Sequence, residues 1–87
     1  MKLYDAHIID SDEHLCVAAR TTDEAAGVLV CFFLARTGTA PGKFSIGRSA
    51  PPDYRGHPTV EAVAAADQAG VIVRQLDGSM LFEPIIE

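Results

Sequence analysis

Apolar and polar residues alternate from Leu3 to Ile9, with Tyr4, Ala6 and Ile8 on one side and Asp5 and His7 on the other. A period of two is the signature of a strand. The polar run Asp10-Ser11-Asp12-Glu13 makes a turn, and alternation resumes from His14 to Ala19. With Ser11-Asp12 as a two-residue turn, Tyr4 faces Ala19, Ala6 faces Val17 and Ile8 faces Leu15. A four-residue loop keeps the same residues on the same side, because register changes faces only on an odd shift.

The period then changes. Thr21 and Glu24 match the capping box S/T-x-x-E, in which side chains satisfy backbone donors at a helix start. A helix is predicted from Thr22 to Thr37, ended by Gly38. Its middle, Ala25 to Ala35, carries no polar side chain other than the Cys31 thiol. Ala25, Val28, Leu29 and Phe32 form one apolar face, and Ala26, Val30, Phe33 and Leu34 a second. Gly27, Cys31 and Ala35 form a small-residue strip between them. A helix on the surface of a small domain should be polar on its outer half, and this one is not.

Gly and Pro dominate from Thr37 to Pro58, where only Phe44-Ser45-Ile46-Gly47 reads as a short strand. Pro58 suits the first position of a second helix, which is predicted to reach Ala69 and close at Gly70. Val60, Val63 and Ala64 are its inward residues. Val71–Leu76 and Met80–Ile86 flank Asp77-Gly78, a two-residue hairpin signal that pairs Val73 with Phe82 and Ile72 with Glu83. Pro84 marks an edge or an ending strand. The order β-β-α-β-α-β-β predicts an α+β two-layer sandwich, with a largely antiparallel sheet and both helices on one face.

Length and composition narrow the class. The 87 residues, 48% hydrophobic and 22% charged, suit one small globular domain spanning 1–87. No apolar stretch reaches the roughly 18 residues that a spanning helix needs, so no membrane partner is expected. The first residues read as a strand rather than a signal peptide, which points to a cytoplasmic chain with reduced thiols. Thirteen alanines, and five arginines against two lysines, point to a GC-rich bacterial coding sequence.

Three features hold candidate chemistry. Asp5, His7, His14 and Cys16 share the polar side of the first hairpin, with His7 placed opposite Cys16. Such residues are zinc ligands or the parts of an activated thiol. No tight C-x-x-C or H-x-x-x-H spacing accompanies them, so the expectation is a solvated sheet face, with no metal, no cofactor and no catalytic residue. Cys31 is expected in the core, with its pKa raised.

The second feature is charge. The net charge is −5, yet Arg36, Lys43, Arg48 and Arg55 against Asp53 make the middle segment +3. Lys43, Arg48, Tyr54 and Arg55 are the candidate anion-binding residues, with Tyr54 available for base stacking. The opposing expectation is a loop kept solvated by its charges. Gly38–Lys43 is one residue short of a phosphate loop and has Phe44 where Ser or Thr belongs.

The third feature is the second apolar face of the first helix, with Val30, Phe33 and Leu34 as the candidate interface. The expected function is therefore a small non-enzymatic interaction domain that forms a homodimer. The alternative is an accessory module that binds anions or nucleic acid through its basic loop.

Overall fold

A computed structural model describes residues 1–85. Five strands, β1 (Lys2–Ile8), β2 (Glu13–Ala19), β3 (Phe44–Gly47), β4 (Gly70–Arg74) and β5 (Met80–Pro84), form one sheet in the order β3-β1-β2-β4-β5. All four pairings are antiparallel. Two helices, α1 (Thr22–Thr37) and α2 (Pro58–Ala65), complete an α+β fold, with a short 3-10 turn at Pro52–Tyr54.

The helices lie on opposite faces of the sheet, which corrects the expected two-layer arrangement. Ala25, Val28, Leu29 and Phe32 of α1 pack on Tyr4, Ala6, Ile8, Leu15, Val17 and Val71. Val60 and Val63 of α2, with Ala50 and Tyr54 before it, pack on Cys16, Ala18 and Ile72 on the other side. The reason lies in the central strand. Leu15 to Ala19 of β2 are all buried, a continuous apolar run rather than an alternating one. A strand of that kind needs cover on both faces.

Local signals set α1 well. The Thr21 hydroxyl accepts the Glu24 N–H at 3.1 Å, and Gly38, at φ 76°, donates its N–H to Leu34 C=O. The Glu24 carboxylate reaches one residue further back than a capping box requires, to the Arg20 N–H.

The second half departs further from expectation. Helix α2 stops at Ala65 rather than Ala69, because Gly70 is not its cap. A Cβ on Gly70 would meet Glu83 O at 2.5 Å and the Phe82 ring at 2.6 Å, so this glycine lets β5 close on β4. The last hairpin has a three-residue loop, Leu76-Asp77-Gly78, and not a two-residue one. Gln75 N–H donates to Ser79 O, Gly78 takes φ 88°, and the Asp77 carboxylate accepts both the Ser79 N–H and hydroxyl. Ile72 therefore pairs with Phe82 and Val73 with Leu81. One added loop residue shifts the register by one and exchanges the faces of β5. The predicted end of this strand at Ile86 lies outside the described residues.

The first hairpin keeps its faces but shifts by two. Its loop is Ile9–Asp12, so Tyr4 pairs with Val17, Ala6 with Leu15, and His7 with His14. Among the described residues, no helix is long and apolar enough to cross a membrane.

Candidate functional site

Helix α2 and the loop before it cover β2, β4, β5 and the Leu3 end of β1 on their sheet face. Further along β1 on that face, Asp5 and His7 are only half-buried, beside the exposed His14 of β2. Because His7 and His14 are register partners, their imidazoles stack, with centroids 4.3 Å apart and planes within 4°. Each ring holds a carboxylate. His7 Nε2 lies 2.7 Å from Asp12 Oδ1, and His14 Nδ1 lies 2.8 Å from Asp5 Oδ1.

Asp12 comes from the turn, at φ 55°, the left-handed region that Asp tolerates better than most residues. This backbone turns its carboxylate back over the strand end. One nitrogen of each histidine and an Asp12 oxygen all lie within 4.8 Å of one another. Sequence reasoning found both histidines and Asp5 but placed Asp12 only in the turn. The doublet Asp10 and Asp12 beside a histidine strand was the available signal.

Comparison with known protein families, curated proteins and solved structures finds no match for this chain.

The two thiols occupy places opposite to those expected. Cys16 is fully buried under α2, between Ala18 and Ile72, and pairs with Asp5 rather than His7. Desolvation, and then the nearby Asp5 charge, push its pKa up to about 12. It is therefore a protonated core thiol at neutral pH and not a metal ligand. Cys31 is exposed, because it sits on the side of α1 that turns away from the sheet.

The basic loop does not gather its cations. Tyr54 is 3% exposed and unavailable for stacking, a correction to its expected role. Its hydroxyl donates to His14 C=O at 3.3 Å and accepts the Arg74 N–H at 3.2 Å. The β2–β4 pairing runs only from Ala18↔Gly70 to Cys16↔Ile72. Where those strands part, Tyr54 replaces the missing ladder rung.

Arg55 turns onto its own loop, donating to Ala50 C=O at 3.0 Å and to the Ser49 hydroxyl. Arg36 bridges α1 to β5, with Nη1 3.5 Å from Glu83 Oε1 and the guanidinium over the Phe32 ring. Lys43 stands exposed near the first hairpin's loop, where its carbonyl accepts the Ile9 N–H. Arg48 lines a different cleft, beside Lys2 and Arg20, and Arg20 there reaches Asp67 at 3.3 Å.

The candidate interface on α1 divides. Phe33 is half-buried, packed against the core and edge-on to Phe32. Val30 is half-buried, and Leu34 is 48% exposed. At 100° per residue, Gly27, Val30 and Leu34 line up on the side opposite the buried stripe. Gly27, Cys31 and Ala35 beside them are exposed. Leu81, 49% exposed on β5, lies on the same sheet face as α1, since its partner Val73 packs into the α1 core.

Proposed function

We propose that this protein is a non-enzymatic interaction domain that forms a homodimer through the outer side of α1. The observation that supports this reading is an apolar helix face that none of the described residues covers. Gly27, Val30, Cys31 and Leu34 face away from the sheet, and α2 lies on the opposite sheet face. Charges on α1 occur only in its end turns, at Asp23, Glu24 and Arg36.

A second copy of the chain is the occupant that fits. At a net charge of −5, copies repel over most of their surface, but a charge-free strip meets its own image without that penalty. Nothing lies within 4 Å of a Cβ built on Gly27, so another helix has room to approach closely. A helix of 16 residues is about 24 Å long. A standard interface of roughly 800 Å² per partner is about 15% of the 5154 Å² surface, within reach of α1 and Leu81. The anion-binding alternative has less support, because Arg36 and Arg55 are engaged and Tyr54 is buried.

Light scattering behind a sizing column, at low and high salt, tests this. The expected mass is twice 9.3 kDa and insensitive to salt, since apolar contact is not screened. Leu34→Glu should place two like charges across the two-fold axis and weaken association about 100-fold or more. A wild-type monomer at 100 µM, on the order of ten times a 10 µM dissociation constant, would remove the proposal.

A further inference from the structure

We infer that His7, His14 and Asp12 form a site for a borderline divalent cation, with Zn²⁺ as the leading candidate and Asp5 as the residue that orients His14. The inference does not depend on how α1 is covered.

Two imidazoles and a carboxylate are the donor set that zinc takes in three-ligand sites, leaving a fourth position for water. Here the set arises from one supersecondary unit. Cross-strand pairing places His7 and His14 side by side, and the four-residue loop returns Asp12 to the same spot. One nitrogen of each ring and one Asp12 oxygen already lie within 4.8 Å of one another. Zn–N bonds of about 2.0–2.1 Å in a tetrahedron put donor atoms about 3.4 Å apart. The 2.7 Å contact of His7 with Asp12 must therefore open slightly.

Ring lone pairs lie in the ring planes, so two planes within 4° must tilt toward a shared ion. Nothing in the core opposes that tilt. The side chains of His7, His14 and Asp12 are 33%, 43% and 86% exposed.

The proton positions suit this role. His14 Nδ1–H donates to Asp5, which leaves the Nε2 lone pair free and sets the tautomer. A carboxylate behind a ligating histidine is the usual support of such a ligand. At His7, the cation takes the place of the proton between Nε2 and Asp12 Oδ1, and that proton moves to Nδ1. The neutral ring changes tautomer and stays neutral. His14 and Asp12 also line a cleft of about 690 Å³, which they share with Tyr54, Asp53 and Arg74.

The test is a Zn²⁺ titration of the full chain followed by NMR of the histidine rings and by calorimetry. His57 is an internal control, since its Nδ1 accepts the Thr59 N–H at the start of α2, away from the hairpin. The expected result is one Zn²⁺ per chain, with ring shifts at His7 and His14 and none at His57. Asp12→Asn preserves a residue that tolerates the left-handed turn, and it should abolish the ring shifts at equimolar zinc. Asp5→Asn should weaken binding about 10–100-fold without removing it.

Equal shifts at all three histidines, or none at His7 and His14, would overturn the site. Unchanged affinity in Asp12→Asn would overturn the assignment of its third ligand. The wild-type ring shifts decide the matter even where a variant fails to fold.

Discussion

Removing one oxygen from Tyr54 tests how the two halves of the sheet are joined. The Tyr54 ring fills the second core, and its hydroxyl links His14 C=O on β2 to the Arg74 N–H on β4. Tyr54→Phe keeps the ring and opens no cavity, so the cost is that of the two hydrogen bonds. Both are long, at 3.3 and 3.2 Å, which places each near the low end of the usual range of about 0.5–1.5 kcal/mol. Arg74 is an exposed residue at a strand end, where water can replace part of what is lost.

The expected loss is therefore about 1–2 kcal/mol, or a fall in Tm of roughly 4–16 °C for a domain of this size. Tyr54→Ala also empties the ring's space and should cost about 3–5 kcal/mol. Urea denaturation measures both, at one fixed protein concentration, because self-association adds to apparent stability. Hydrogen exchange supplies the specific readout. In Tyr54→Phe, the Arg74 amide should exchange faster, while the amides of α1 keep their protection relative to global stability. A Tyr54→Phe protein within 0.3 kcal/mol of wild type, well under one hydrogen bond of about 1 kcal/mol, with an unchanged Arg74 amide, would refute the bridge.

Three further outcomes are expected. Burial raises the Cys16 thiol from 9.0 to about 12 and also raises the Tyr54 phenol above 10.0. A group whose folded pKa exceeds its unfolded value contributes stability that is complete below the unfolded pKa and lost as pH rises through the folded one. Stability should therefore be level up to pH 9 and fall between pH 9 and pH 12, and Cys16→Ala should flatten that limb. At sub-micromolar concentration, an alkylating reagent should modify Cys31 promptly and Cys16 only in denaturant; prompt labelling of both would contradict the burial of Cys16. Gly70→Ala forces a Cβ against Glu83 O and the Phe82 ring, and should cost about 1–3 kcal/mol by calorimetry. Wild-type stability there would show that β5 does not press on β4.

What could be read from the chain alone follows the range of the forces involved. Thr21, Glu24 and Gly38 act within a few residues of the backbone they cap, and α1 begins and ends where they indicate. The parity of the first hairpin was equally legible, since Tyr4, Ala6 and Ile8 must share a face whichever even shift the loop selects. That parity was enough to place Asp5, His7 and His14 on one side. The pairing of the two histidines was not legible, because it depends on whether the turn holds two residues or four. Gly70 misled for a related reason. A glycine after a helix reads as a cap, and only the approach of β5 shows the other need for a missing Cβ.

Composition, periodicity and caps alone determined an α+β chain with a helix whose middle carries no charge, an antiparallel sheet and a polar hairpin side. Tertiary structure decided which side of the sheet each helix covers. That choice buried Cys16, exposed Cys31, drew Tyr54 inward as a sheet rung, and left the outer side of α1 without cover. The physical reason is that burial belongs to pairs of surfaces. A strand run such as Leu15–Ala19 states that both its faces are covered, but α2, which covers the second face, lies tens of residues away and leaves no mark on the local pattern.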